Sequence, residues 1–130
     1  MKPIIVDSSV WIEYFKDITE VVTIIEKGIM KNKIFITGPI VAELLQGTKT
    51  EKEYNKLEEC IDGIPLLKGG ISCWKMAGKI SFALRREGIT IPLTDIFIAA
   101  VAINHDMQVY THDEHFKQIP GVELYKIGAS

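Results

Sequence analysis

A chain of 130 residues with 25% charged and 47% hydrophobic side chains has the composition of an ordinary folded protein with one sizeable core, which excludes a disordered or collagen-like chain. Its net charge of -2 excludes a generally basic nucleic-acid-binding surface, though not a local basic strip. Cys60 and Cys73 lack metal-ligand spacing and read as two buried free thiols, while the N-terminal run Ile4-Ile5-Val6 before Asp7 is too short for a signal-peptide core and no apolar run approaches the roughly 20 residues of a membrane span. One cytosolic domain over residues 1–130, with no membrane association, is expected.

Ile4-Ile5-Val6 is a short β-branched run closed by Asp7-Ser8-Ser9, which predicts a buried strand ending in a polar turn. Val10, Trp11, Tyr14 and Phe15 then fall at helical spacing, and a second helix is predicted from about Thr19 to a stop at Gly28. Ile34-Phe35-Ile36 predicts the second strand. Thr37-Gly38-Pro39 opens a helix with proline in its first turn, where the missing N–H is harmless, and Gly47 ends it. Glu43 lies three residues after Ile40 in that helix, so its carboxylate borders the apolar stripe.

The charged run from Thr50 to Cys60 predicts a solvated helix with Tyr54, Leu57 and Ile61 turned inward. Ile64-Pro65-Leu66-Leu67 predicts a third strand, placed at an edge by its proline. After a turn at Gly69-Gly70, a long helix is predicted from about Ser72 to Arg86, burying Trp74, Ala77, Ile80, Ala83 and Leu84 and displaying Lys75, Lys79 and Arg86. The next helix is different in kind. From Ile96 to Ile103 every side chain is apolar, so no face is left for water and the helix belongs in a core. Asp95 at its mouth fits a helix cap, because free N–H groups and the positive end of the macrodipole favour an anion there. Gln108-Val109-Tyr110-Thr111 predicts a fourth strand followed by His112-Asp113-Glu114, and Val122 to Tyr125 a fifth. Strands alternating with helices imply an α/β protein with three layers, α/β/α, around a central parallel sheet of four to five strands.

In such a sheet, sites form beyond the carboxyl ends of the strands. Asp7 follows the first strand and Asp113 the fourth, while Glu43 and Asp95 lie near the starts of helices that begin on the same edge. Each acid has an ordinary reading: Asp7 in a turn, Glu43 on the surface, Asp113 within the capping pattern Thr111-His112-Asp113-Glu114. Together they repel, raising one another's pKa unless a cation intervenes. Hard oxygen ligands select Mg²⁺ or Mn²⁺, typically with waters and substrate phosphates completing the shell, which points to phosphoryl transfer. Two ions about 3.5–4 Å apart could serve both the attacking and the leaving oxygen.

Four runs carry a resemblance that spans the chain: Asp7-Ser8-Ser9-Val10-Trp11-Ile12, Val41-Ala42-Glu43-Leu44-Leu45-Gln46-Gly47, Leu93-Thr94-Asp95-Ile96-Phe97-Ile98-Ala99-Ala100 and Thr111-His112-Asp113-Glu114-His115-Phe116. In this order they resemble the PIN domain, and within it the VapC toxins of bacterial and archaeal toxin–antitoxin pairs. The resemblance implies a Mg²⁺- or Mn²⁺-dependent endoribonuclease, a homodimer, silenced by a VapB-like antitoxin whose C-terminal tail lies across the active-site groove. It implies Asp7, Glu43, Asp95 and Asp113 as the catalytic, metal-binding acids: Asp7 and Asp95 as direct ligands, Glu43 direct or through water, Asp113 at the family's most variable acidic position. Ser9 and Thr111 match hydroxyl positions that steady the acids or a metal water. The implied reaction is in-line attack of activated water on an RNA phosphodiester, leaving 5′-phosphate and 3′-hydroxyl ends without use of the 2′-hydroxyl.

Lys75, Lys79, Arg85 and Arg86 form a strip that fits either an RNA backbone or a solvated helix end, and His112 lies beside the site as a further RNA contact or a neutral surface histidine. The main alternative is a catalytically inactive PIN-like interaction module whose acids only cap helices. A haloacid-dehalogenase-type phosphatase is disfavoured by Ser9, which stands where its second aspartate would be, and a receiver domain by the lack of a second acid near Asp7.

Overall fold

The computed structural model describes residues 1–127, so the last three residues of the expected 1–130 domain lie outside the described residues. Five strands, β1 (Ile4–Val6), β2 (Ile34–Thr37), β3 (Leu66–Leu67), β4 (Gln108–Tyr110) and β5 (Glu123–Leu124), form one sheet in the order β3-β2-β1-β4-β5. Every neighbouring pair is parallel. The three residues of the central strand β1 are fully buried, which is why that strand reads as unbroken Ile-Ile-Val and not as an alternation: both of its faces are covered. β3 takes the expected edge position. There Pro65, which has no N–H to give, contributes only its carbonyl, accepting from the Ile36 N–H at 3.0 Å.

The helices α1 (Ser8–Phe15), α2 (Thr19–Met30), α3 (Gly38–Gln46), α4 (Glu51–Asp62), α5 (Gly70–Arg86) and α6 (Leu93–Asn104), with a 3-10 helix at Glu114–Gln118, connect these strands into the predicted α/β/α arrangement. No described helix is long and apolar enough to cross a membrane. In α6 every residue from Asp95 to Ala102 is buried, and the helix packs on β1, β4 and α5. Its missing polar face is thus accounted for.

Gly69 lets the chain turn into α5 directly against α6. Its φ is +74°, and an added Cβ would lie 2.9 Å from both Phe97 Cζ and Val101 Cγ2. Phe97 has little room to retreat, because Trp74 stacks on its ring with centroids 3.8 Å apart. Gly69→Ala is therefore expected to cost about 1–3 kcal/mol of stability. In urea it should lower the unfolding midpoint and leave the slope unchanged.

Several burial expectations need correction. α2 runs past Gly28, which is buried within it, and an added Cβ there would come 2.5 Å from Ile34 Cδ1; the glycine serves close helix–sheet packing and is not a stop. Tyr54 is exposed and Leu57 only partly covered, leaving Ile61 as the buried residue of α4. Trp74 and Ala83 are exposed and Ile80 half-buried, because α5 packs chiefly on α6 and only a narrow stripe, Cys73, Ala77 and Leu84, is fully covered. Of the two cysteines, Cys73 is buried and Cys60 exposed.

Candidate active site

Asp7 is the first residue beyond β1, fixed by its N–H donating to the Tyr110 carbonyl at 2.9 Å. Its own carbonyl accepts from the N–H groups of Val10 and Trp11 and so starts α1, but its carboxylate does not cap that helix. Oδ2 accepts instead from the Thr111 hydroxyl at 2.8 Å and the Ser9 hydroxyl at 2.9 Å. Those hydroxyls are themselves held: Ser9 Oγ accepts from the His112 N–H at 3.1 Å, and Thr111 Oγ1 from the Asp113 N–H at 3.0 Å. Two side chains thus lock one oxygen of Asp7 and tie the start of α1 to the end of β4, while Oδ1 takes no intramolecular hydrogen bond among the described residues.

Asp95 does not have the capping role expected of it. Pro92 is the N-cap of α6, no side chain caps the helix, and Asp95 is its third residue, within the first turn. The residue is only 8% exposed. No described residue donates a hydrogen bond to it, and a histidine ring nitrogen, His115 Nδ1, lies 3.8 Å from Oδ2. Glu43 on α3 is half served: Oε2 accepts from the Ser8 hydroxyl at 3.3 Å, whereas Oε1 is buried with no partner. Asp113 alone fits the capping reading, because its Oδ1 accepts from the His115 N–H at 2.9 Å and so caps the 3-10 helix.

The acids sense one another. Burial, then Asp113, Asp7 and Glu43 in turn, push the Asp95 carboxyl up to about 6 against an opposing contribution from His115. Burial, followed by Asp7, also raises Glu43, the Ser8 hydroxyl partly opposing. A buried carboxylate oxygen with no partner, Glu43 Oε1, is anomalous in a folded protein, and an all-oxygen donor set under mutual repulsion suits a hard divalent cation. These residues fit a metal site.

A model of the PIN domain family matches residues 4–122. The chain belongs to the PIN domain family. Among curated proteins this PIN domain is 29% identical over 121 residues to "Ribonuclease VapC11" of Mycobacterium tuberculosis, covering 89% of this chain and 90% of that protein. It is 29% identical over 124 residues to "Ribonuclease VapC" of Rickettsia bellii, covering 84% and 92%. The fold also superposes on VapBC2 from Rickettsia felis bound to a promoter DNA fragment, with a TM-score of 0.82 and 22% identity over 94% of this chain and 96% of that one. For DNA-bound VapBC from Salmonella typhimurium the TM-score is 0.81 and the identity 23%, over 96% and 98%.

Lys75, Lys79, Arg85 and Arg86 are all exposed on α5, with the Arg86 guanidinium 5.6 Å from the centre of the Phe82 ring; no ion pair joins any of them to an acid of the site among the described residues. His112 is exposed but engaged, its Nε2 meeting a Glu13 carboxylate oxygen. The sequence reading missed His115 as a site residue. One ligand atom each from Asp95, Asp113 and His115 lie within 4.8 Å of one another. The available signal was local: a histidine two residues after an aspartate that caps a turn is brought back beside that aspartate by the turn itself.

Proposed function

We propose that this PIN domain is a metal-dependent endoribonuclease and the toxin of a VapBC-type pair. The observation that carries the reading is the acidic cluster itself: Asp95, its side chain 12% exposed and without a hydrogen-bond donor, and Glu43, with Oε1 buried and unpartnered, are raised by one another and by Asp7 and Asp113 in a chain whose curated relatives are named VapC ribonucleases. Asp7, Glu43, Asp95 and Asp113 would hold Mg²⁺ or Mn²⁺, which when bound supplies an activated water and neutralises charge at the scissile phosphate.

The chain's own residues prepare for this. Ser9 and Thr111 immobilise Oδ2 of Asp7 so that Oδ1 faces a fixed direction. Ser8 does the same for one oxygen of Glu43. Asp95 needs no tether, because the buried helix behind it sets its position, and its apolar surroundings strengthen every electrostatic contact made there. Asp113 closes the group from a turn locked to Thr111. Lys75, Lys79, Arg85 and Arg86 would meet the RNA backbone, giving affinity without sequence choice.

Two apolar surfaces support the proposed partners. Ile12, Phe15, Ile18 and Tyr54 are exposed and suit the apolar face of an amphipathic segment from a VapB-like antitoxin. Ile71 and Trp74 are exposed in the first two turns of α5, an apolar patch of the kind a homodimer interface uses. The inactive interaction module gives no account of the unserved carboxylates.

The test is cleavage of RNA by purified protein in Mg²⁺, Mn²⁺ or EDTA, with one substrate carrying a single 2′-deoxy nucleotide at the scissile position. Cleavage with either ion, loss of it in EDTA and continued cutting of the 2′-deoxy substrate to 5′-phosphate and 3′-hydroxyl ends are expected. Cleavage that survives EDTA, or complete resistance of a 2′-deoxy substrate that still binds, would overturn the proposal.

A further inference from the structure

His115 offers this site a donor that the four acids lack. Its Nδ1 lies 3.3 Å from Asp113 Oδ1 and 3.8 Å from Asp95 Oδ2, so a ring nitrogen and two carboxylates converge on one point. The backbone enforces the placement, since the His115 N–H donates to the same Asp113 oxygen at 2.9 Å. With its side chain 47% exposed, the ring has solvent available and still directs Nδ1 toward the acids. A second observation points to a ligand in this group of acids: Glu43 Oε1 is buried with no hydrogen-bond partner, against the general rule for buried polar atoms, and Asp95, its side chain 12% exposed, receives no hydrogen bond from any described residue.

We propose that His115 is a nitrogen donor to the cation bound beside Asp95 and Asp113, coordinating through Nδ1, and that it biases this PIN domain toward first-row transition-metal dications over Mg²⁺. The proposal rests on the metal-site reading above and adds to it one residue and one preference. Mg²⁺ demands hard oxygen ligands in a near-ideal octahedron and gains little from imidazole, whereas transition-metal dications take imidazole nitrogen alongside carboxylate. A histidine serving only as counter-ion to the two acids would be displaced by the cation. Ligand and counter-ion therefore differ in whether nitrogen touches the metal.

The full-length protein, with its histidines labelled with nitrogen-15, is loaded with Mn²⁺ and read by pulsed electron paramagnetic resonance, and Mn²⁺ and Mg²⁺ affinities are measured by calorimetry. Wild type is expected to show coupling to a directly bound histidine nitrogen and to bind Mn²⁺ the more tightly. His115→Ala, which retains His105 and His112, should lose the coupling and weaken Mn²⁺ binding by about tenfold or more, the scale on which even supporting residues matter, while Mg²⁺ binding changes far less. His115→Asp, which returns an oxygen donor, should narrow the gap between the ions; circular dichroism checks that both variants fold. Mn²⁺ bound to wild type without nitrogen coupling overturns the role of His115 and leaves the acidic site standing. Failure of wild type to bind Mn²⁺, or unchanged binding by Asp95→Asn, overturns the acidic site and this inference together.

Discussion

Asp95→Asn is expected to abolish metal-dependent RNA cleavage and, at the same time, to stabilise the metal-free protein at neutral pH. Loss of a direct ligand should lower activity by more than about 100-fold, the upper end of what losing a supporting residue costs. The stability gain follows from the sign of the pKa shift. Burial and then the neighbouring acids Asp113, Asp7 and Glu43 raise Asp95 from 3.8 to about 6, so between those pH values the folded state binds more proton than the unfolded one. Stability of the metal-free protein therefore falls as pH rises through that window, and above it the full cost of ionisation, at most about 3 kcal/mol, is borne. Asparagine removes the ionisation without removing the shape. Urea unfolding in EDTA at pH 4.5 and pH 7.5 should show wild type losing stability across the interval, with the variant losing less. Metal binding, which competes with the proton at Asp95, should weaken below about pH 6. A variant less stable than wild type at pH 7.5 would mean that Asp95 is a structural residue.

The second large effect is expected from the hydroxyl pair. Ser9→Ala together with Thr111→Val removes both donors to Asp7 Oδ2 and strips the acceptors from the N–H groups of His112 and Asp113. Activity should fall roughly 10–100-fold, as for other groups that orient a metal ligand. Each single variant should retain more, because one hydroxyl still pins the carboxylate. A double variant as active as wild type would show that Asp7 is positioned by the backbone alone.

The sequence conveyed the site's framework better than its surroundings, for a physical reason that the residues make plain. Ile4-Ile5-Val6 ends at an acid, and a run of apolar residues ending at an acid is a strand delivering a carboxylate to a sheet edge. The continuous apolar stretch after Asp95 left only a buried helix as its reading, and that helix is buried along the whole predicted stretch but for the half-covered Ile103. Periodicity, by contrast, gives the direction of a helix's apolar face but not how much of it a neighbour covers. Trp74, Ala83 and Tyr54 lie on or beside apolar stripes yet remain exposed, because α5 and α4 are covered along narrow lines. Gly28 carries the chemistry of a helix stop, and only the closeness of Ile34 reveals its use in packing. His115 owes its place to a turn set by Asp113, and helix and strand periods carry no signal for that.

Thermal unfolding at pH 7.5 in Mn²⁺ and in EDTA tests most directly whether the four acids form a metal site. An ion present at 100 times its dissociation constant stabilises the folded state by about 2.7 kcal/mol, which raises the midpoint by several degrees in a protein of this size. Wild type should show that rise and Asp95→Asn should not. Midpoints that are the same in Mn²⁺ and EDTA for wild type would contradict the metal site and leave the acids without the role assigned to them.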